Sequence, residues 1–400
     1  MTLLSHIDLL EWLNLALRWL HVITGIAWIG ASFYFVWLDN HLKPPAGGAV
    51  PGGPSGELWS VHGGGFYHNQ KYPVAPPRMP DELHWFKWEA YFTWMSGFSL
   101  LVLVYYVGAK SFLIDPAKVA LSQPQAIGIG LAFLAGGWLV YDGLCRTLAR
   151  SPRLLGAIWF AVLVGAAYAL NLLFNARGAY LHVGAMIGTV MAANVFLIII
   201  PNQRKVVAAL VAGETPDPAL GAAGKLRSVH NNYMTLPVLF IMISHHYPMT
   251  YGADRPWLVL ALLGATGVAI RQVFTLRHKH APTGRWIALA VVLALASVTY
   301  VAAEKASHEE GTAGNVTYAD IQPILARHCY ACHGAHPTNP AFPSPPLGVK
   351  LDTAEHVAAV APRIKAVAVE AVVMPLGNST GMTKAERAQI GAWIAAGARP

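Results

Sequence analysis

The sequence contains few charged residues and few cysteines. Asp, Glu, Lys and Arg together make up 12% of the 400 residues, about half the share in an average soluble globular protein. Hydrophobic residues make up 55%. This composition excludes a disordered chain, a collagen and an ordinary cytosolic enzyme. Three cysteines are too few for a disulfide scaffold.

Long apolar blocks fill the first three quarters of the chain, and their lengths predict about eight transmembrane helices. The blocks lie near residues 9–38, 86–108, 125–144, 154–174, 179–201, 231–247, 256–276 and 284–303. The first block lacks a basic start and a small-residue cleavage site, so we interpret it as a helix and not as a cleavable signal. Residues 1–303 are therefore predicted to form a polytopic helix bundle.

Basic residues are concentrated in alternate loops. One set of loops holds Lys43, Lys71, Arg78, Arg146, Arg150, Arg153, Arg204, Lys205, Lys225, Arg227, Arg277, Lys279 and Arg285; the other set holds only Lys110, Lys118, Arg177 and Arg255. The first set should face the cytoplasm. This predicts a bacterial inner-membrane protein with both termini in the periplasm. The formal charge of +8 is then topology information, and no nucleic-acid partner is predicted.

Three stretches are too polar to lie in the membrane. Residues 42–82 form a long inner loop rich in Pro and Gly, a length typical of functional or disordered loops. Residues 202–229 form a second inner segment, and residues 304–314 form a linker to a tail at residues 315–400.

The tail contains a c-type haem attachment motif, Cys329-Tyr330-Ala331-Cys332-His333. Two thiols at this spacing form thioethers to the haem, and the adjacent imidazole reaches the iron. The alternatives are a structural zinc pair, which would need further ligands, and a redox dithiol, which would need a thioredoxin-like pattern. Haem c is attached outside the cytoplasm, which agrees with the topology predicted from the loop charges.

The iron would take a Met thioether as its second axial ligand. Met374, which precedes Pro375 in a loop, is favoured over Met382. Capping patterns at Thr317 and Thr383 predict helices that begin after each of them. The tail resembles a small class I cytochrome c domain, and the whole chain is predicted to be all-α.

Histidines in the membrane blocks are candidate cofactor ligands, because ionisable residues there are costly. His21 shares a helix stripe with small residues that leave room for a flat cofactor, and His182 begins the fifth block. Both are predicted in the outer half, where they would hold a haem b between them. The alternative for each is a hydrogen bond to a helix carbonyl. His245 or His246 could instead supply the second ligand.

A second polar group is predicted at the inner side. Its candidate catalytic residues are His84, Glu89, His230 and Arg271, surrounded by Lys87, Asn231, Asn232, Tyr233 and Asp142. A polar, partly basic cavity suits a small planar anion. The alternative is structural for each member, since Lys87 can extend to the interface and Asp142 can pair with Arg146.

Three motifs carry a family resemblance. They are Leu20-His21 through Tyr34, His230-Asn231-Asn232-Tyr233-Met234-Thr235-Leu236-Pro237, and His245-His246-Tyr247-Pro248. With them the chain resembles the bacterial membrane-bound urate oxidase (urate hydroxylase) family, in which an eight-helix membrane domain precedes a cytochrome c. The resemblance implies oxidation of urate to 5-hydroxyisourate, with electrons leaving through cytochrome c. It implies no catalytic residues.

These expectations combine into one hypothesis. Urate binds at the cytoplasmic face, where Arg271 or Lys87 balances its charge and Glu89, His84 or His230 accepts protons. Electrons pass through the haem b to the haem c, and then to a soluble cytochrome c or a terminal oxidase. One competing hypothesis is a quinol-oxidising electron-transfer module, and another is a transporter with a cytochrome sensor. No pair of Gly- or Pro-broken helices marks a transport site.

Overall fold

A computed structural model describes residues 9–48, 52–310, 316–340, 342–370 and 372–400. Helices dominate these residues, which confirms the predicted all-α class. Eight long helices come first, separated by short segments and two short helices. They are α1 (Leu9–His41), α2 (Trp88–Val107), α3 (Ala109–Phe112), α4 (Gln123–Thr147), α5 (Pro152–Leu173), α6 (Ala176–Val211), α7 (Pro218–Ser244), α8 (Pro248–Tyr251), α9 (Pro256–His278) and α10 (Gly284–Glu310).

Seven of the long helices within the described residues are long and apolar enough to cross a membrane. The exception is α7, whose 27 residues would reach across a bilayer but include a run of polar side chains in the middle. About eight transmembrane helices were predicted, and seven of the described helices have the length and composition to span a membrane. Helix α7 is long enough to span a membrane, but its run of polar residues makes it too polar to count as a membrane span.

Helix α6 lies at the centre of the bundle. In the most apolar 18-residue stretch of α6, 56% of the residues are buried. The corresponding share is 6% in α1 and in α10. It packs against α2, α4, α5 and α7. The outer helices α1 and α10 instead present many exposed leucines, valines and isoleucines, the surface expected of helices that face lipid.

Glycines allow the central helices to approach closely. A Cβ atom at Gly137 of α4 would lie 2.4 Å from Met186 Cγ, and one at Gly184 of α6 would lie 2.5 Å from Ile241 Cγ2. Small residues at such crossings bring helix backbones together in the absence of water. The contact surfaces of α4, α6 and α7 are therefore set by these glycines.

The three stretches predicted to be non-membrane are more ordered than expected. The first, residues 42–82, contains an antiparallel hairpin of β1 (Gly56–His62) and β2 (Gly65–Lys71), in which Gly56 pairs with Lys71 and His62 with Gly65. The second is largely helical, because α6 continues to Val211 and α7 begins at Pro218. In the third, α10 continues to Glu310, so the predicted linker is helical up to that residue, and residues 311–314 lie outside the described residues.

The tail has its own helices and its own apolar core. The helices are α11 (Tyr318–His328), α12 (Tyr330–His333), α13 (Ala354–Ala359), α14 (Ala361–Ile364) and α15 (Lys384–Ala395), with a π-helical turn at Lys365–Glu370 and 3-10 turns at Pro346–Gly348 and Leu376–Asn378. Both predicted capping boxes are present, at Thr317 with Asp320 and at Thr383 with Glu386. The Thr383 amide is the main reason that the pKa of Glu386 falls to about 2.

The core of the tail is formed by one cluster of buried side chains. It includes Ile321, Leu325, Ile390 and Trp393, with Met382 only 3% exposed. The tail contacts the end of the bundle that carries α3 and the segment before α9. The predicted topology assigns both of these to the same side of the membrane as the tail.

Candidate functional site

The predicted haem attachment motif begins at Cys329, the last residue before α12. Cys329 and Cys332 form no disulfide, and burial raises the pKa of the Cys329 thiol to about 11. The His333 Nδ1–H donates to the carbonyl of Val349 at 2.9 Å. A carbonyl on Nδ1 fixes the tautomer and leaves the Nε2 lone pair for a metal. The two free thiols and the anchored imidazole are thus compatible with the predicted haem attachment.

The two alternatives for this motif, a redox dithiol and a structural zinc pair, are both disfavoured. A high thiol pKa disfavours a redox dithiol, since the thiolate is the reactive form. For zinc, the nearby His328 already uses both nitrogens, Nδ1 with Thr380 Oγ1 at 2.7 Å and Nε2 with Glu386 Oε1 at 3.2 Å. Among the residues described, no group of three or more His, Cys, Asp or Glu side chains could hold a metal ion.

Both candidate methionines contact the apolar core of the tail. Met382 is part of that core, and Met374 packs against it together with Cys329. The carbonyl of Met374 accepts a hydrogen bond from Arg387 Nη1. Haem attachment and the choice of Met374 over Met382 both stay predictions.

His21 lies between α1 and α2. Its Nδ1 is 3.0 Å from the carbonyl of Thr93 and 3.1 Å from Ser96 Oγ. Its ring fits against Gly97, where a Cβ atom would lie 2.8 Å from Cε1. The imidazole is thus oriented by the backbone of α2, as in the predicted alternative of a carbonyl-bonded histidine.

His182 is fully buried in α6, where it faces α4. Its Nδ1–H donates to the carbonyl of Gly178 at 2.8 Å. Its Nε2 and the hydroxyl of Tyr106 have no hydrogen-bond partner among the described residues. A Cβ atom at Gly130 would lie 2.7 Å from Nε2, so α4 closes over this edge of the ring.

One feature around His182 favours a haem b at this position, and another disfavours it. An orphaned Nε2 opposite an anchored Nδ1 is the arrangement of a histidine ligand. The close approach of Gly130, however, leaves no space for a porphyrin at that edge with α4 in its present position. His21 and His182 also lie at different helix interfaces. The haem b ligands stay a prediction, and the proposed function does not depend on them.

Polar residues in the middle of α7 connect it to four other helices. Three consecutive residues, His230, Asn231 and Asn232, each contact a different neighbour. The bonds join His230 Nδ1 to Tyr141 OH at 2.8 Å, Asn231 Nδ2 to Met191 O at 2.9 Å, Asn231 Oδ1 to Asn194 Nδ2 at 2.8 Å, and Asn232 Nδ2 to Ser32 Oγ at 3.1 Å. Asn232 also accepts from Arg271 Nε, and Tyr233 donates to Gln272 Oε1. Helices α1, α4, α6 and α9 are thereby fixed around α7.

Arg271 is a buried cation without a carboxylate. It is 3% exposed, it forms no ion pair within the described ranges, and its Nη2 has no hydrogen-bond partner there. Its guanidinium lies over the ring of Phe33 at 4.3 Å. Arg227, also buried, instead bonds Asp142 Oδ1 at 2.5 Å and Asn194 Oδ1 at 3.0 Å. Within the described residues, Arg271 Nη2 is a fully buried donor without a partner, and such a donor could meet an anionic ligand.

The structure does not bring the four predicted catalytic residues together. His230 and Arg271 lie on different sides of α7, at α4 and at α9. His84 is exposed before α2, edge-on to Phe86 at 4.6 Å. Glu89 is in the first turn of α2. In the described part of the chain, neither His84 nor Glu89 contacts His230 or Arg271.

Sequence reasoning missed several members of this network. Asn194 is fully buried in the most apolar of the predicted helices, and Tyr141 and Gln272 complete the contacts of α7. Asn194 could have been found by the rule that a polar residue inside an apolar block is rarely placed there without a partner. Tyr141 and Gln272 carry no such signal, because they lie near helix ends.

A cleft of about 220 Å³ lies between the bundle and the tail, beside the places where they touch. Its walls include Ser111, Asp115, Lys118, Asn175, Arg177, Asp254, Val373, Gly377, Asn378 and Lys384. Lys118 Nζ donates to the carbonyls of Asn171 at 2.7 Å and Phe174 at 3.0 Å. Three of these wall residues, Val373, Gly377 and Asn378, belong to the loop that carries Met374.

The family model described as urate oxidase N-terminal matches residues 7–302. The chain belongs to this family. The match spans α1 to α9 and most of α10, and therefore all the contacts of α7. No curated protein and no solved structure matches the chain. The tail of this urate oxidase family member lies beyond the match, so its interpretation rests on its own residues.

Proposed function

We propose that this protein is a membrane-bound enzyme that oxidises urate to 5-hydroxyisourate and passes the electrons to a haem c in its tail. The family membership supports an oxidoreductase acting on urate. The observation that supports the electron route most directly is the anchored imidazole of His333 beside two unpaired thiols. A haem bound by Cys329, Cys332 and His333, with Met374 as the second axial ligand, would supply a one-electron acceptor.

The reaction balances without oxygen. One urate and one water give one 5-hydroxyisourate, two protons and two electrons. The two electrons leave one at a time, so two equivalents of a downstream acceptor are reduced for each urate. That acceptor is proposed to be a soluble cytochrome c or a terminal oxidase. The chain itself must hold the purine anion and remove the two protons.

Arg271 is the proposed partner of the urate anion. A buried guanidinium with a free Nη2 and only neutral neighbours would gain most from an anionic ligand. Phe33, whose ring lies 4.3 Å from the guanidinium, would contact a planar ring. Asn232 orients the Nε side of the guanidinium and leaves the other side for substrate.

His230, whose hydrogen-bond partner is Tyr141 at 2.8 Å, is the proposed proton acceptor. Because it lies on the other side of α7 from Arg271, protons would reach it through a relay and not directly from urate. His84 and Glu89, at the start of α2, are proposed to exchange these protons with the inner side. The loop charges support an inner-membrane location with the tail in the periplasm. Membrane lipid would surround the outer helices α1 and α10.

Anaerobic addition of urate to the purified, haem-loaded protein tests this function. The absorption band of the reduced c-type haem should appear, and urate should disappear at one molecule for every two electrons accepted. No peroxide should form. If a quinol reduces the haem and urate does not, with haem content intact, the protein is an electron-transfer module and the proposal is wrong.

A further inference from the structure

The loop Val372–Asn378 belongs to both parts of the protein. Val373 packs against the apolar core of the membrane helices, whereas the neighbouring Met374 packs against the core of the tail. Two consecutive side chains therefore join the two cores. No other pair of consecutive residues among those described is divided in this way between the two clusters.

Gly377 brings the backbone of this loop onto α3. Its φ is +61°, in the region that favours glycine. A Cβ atom at this position would lie 2.5 Å from the carbonyl oxygen of Ser111 and 3.0 Å from that of Lys110. Both neighbours are backbone atoms at the end of α3, so they cannot turn aside as a flexible side chain would.

Further contacts hold the loop to the tail and join the tail to the bundle. From the tail side, Arg387 Nη2 donates to Asn378 Oδ1 at 3.0 Å, and Nη1 donates to the carbonyl of Met374. At the rim, Lys384 Nζ lies 3.1 Å from Asp254 Oδ1. An exposed pair of this kind adds little stability, but it joins the tail to the segment before α9 and marks the docked arrangement.

We infer that the loop Val372–Asn378 is the docking contact through which the tail receives electrons from the membrane helices, and that Gly377 is a positioning residue for this transfer. The electron-transfer part rests on the proposed function, whereas the docking itself does not. The loop also carries the predicted axial ligand Met374. Docking by this loop therefore places the predicted iron site at the end of the bundle, next to α3.

Gly377→Ala and Gly381→Ala form a matched pair for the test. Gly381 is in the same tail with a similar φ of +69°, but a Cβ atom there meets nothing within 4 Å. Both variants therefore place alanine in a left-handed conformation, and only Gly377→Ala collides with α3. Because Lys384 and Asp254 are 88% and 46% exposed at their side chains, a water-soluble carbodiimide should couple them in the full-length, haem-loaded protein.

The yield of the Asp254–Lys384 cross-link, measured by mass spectrometry of the digested protein, reports docking without urate. We expect the yield for Gly377→Ala to be about tenfold lower than that for Gly381→Ala when both are sampled early in the reaction. The c-type absorption of both variants should equal that of the wild type. Urate-driven haem reduction should slow by a similar factor in Gly377→Ala alone.

The possible failures are distinguishable. Equal cross-link yields in the two variants would overturn the docking contact, whatever urate does. A reduced yield with an unchanged rate of haem reduction would overturn the role of this contact in electron transfer. If urate reduces no haem even in the wild type, the proposed function fails, and the cross-link yields still decide whether the loop docks.

Discussion

Arg271 and Arg227 differ in what balances their charge, although both are buried in the same half of the bundle. Arg227 has the carboxylate of Asp142, whereas Arg271 has only neutral partners within the described residues. An unbalanced buried charge is costly, and in membrane helices it commonly marks a site for ligands or ions. The two arginines should therefore respond differently to loss of charge.

We expect Arg271→Gln to weaken urate binding by about 10- to 100-fold, the range for loss of a charged hydrogen bond of about 1.5–3 kcal/mol. The urate concentration that gives half-maximal haem reduction would measure this change. Arg227→Gln is the control, because it should lower thermal stability by breaking a buried ion pair with a smaller effect on that concentration. If both variants show the same urate dependence, Arg271 does not bind the anion.

Met374 and Met382 can be separated by the same kind of comparison. Met374→Ala should lower the reduction potential of the haem, because a thioether ligand raises it. Met382→Ala should keep the potential and destabilise the tail by about 2–5 kcal/mol, the usual cost of removing a buried side chain of this size. Redox titration of the haem measures the first effect. Thermal unfolding of the tail measures the second. A potential that falls only in Met382→Ala would reverse the assignment of the axial ligand.

Glycines on α6 illustrate how the helices reach their close packing. A Cβ atom at Gly184 would lie 2.5 Å from the branched carbon Cγ2 of Ile241, whereas one at Gly188 meets nothing within 4 Å. Both glycines are inside the same helix. The general preference of helices for alanine over glycine, about 1 kcal/mol, applies to both positions. The collision with α7 applies only to Gly184.

Gly184→Ala should consequently lower the melting temperature of the membrane helices, since overpacking typically costs about 1–3 kcal/mol. Gly188→Ala should leave the melting temperature unchanged or raise it. Thermal unfolding in detergent, followed by far-UV circular dichroism, would test both variants under one condition. A stabilising effect of Gly184→Ala would show that α6 and α7 are farther apart than the structure places them.

The elements that the sequence predicted well are those with a strong local signal. Apolar length is such a signal for α1 and α6, and the capping boxes at Thr317 and Thr383 are local too. The hairpin at Gly56–Lys71 was missed because its strands lie in a segment rich in Pro and Gly. The helical start of α7 was missed because the segment is polar, and the partners of its buried Arg227, which are Asp142 and Asn194, are distant in the sequence.

The candidate site was predicted only in part for the same physical reason. His230 and Arg271 were selected as candidates because each is an ionisable residue near an apolar block. Their placement on different sides of α7 depends on how that helix is rotated against α4 and α9. Hydropathy contains no information about that rotation. The unsatisfied Nη2 of Arg271 likewise emerges only once its neighbours are positioned.

The whole molecule has two ends that carry different parts of the chain. One end holds the hairpin with Lys71, and the other contacts the tail with Lys384. The side chains of these lysines are 53% and 88% exposed, so both should react with an amine reagent. If the basic loops face the cytoplasm, the two lysines lie on opposite sides of the membrane.

A membrane-impermeant amine reagent can therefore decide the orientation. In spheroplasts we expect it to label Lys384 and to leave Lys71 unlabelled, and in inverted vesicles we expect the reverse. Detergent-solubilised protein, in which both lysines should react, is the control for reactivity. Labelling of Lys384 only in inverted vesicles would place the tail in the cytoplasm. The Cys329 motif would then lie on the wrong side for haem attachment, and the proposed electron route would have to be abandoned.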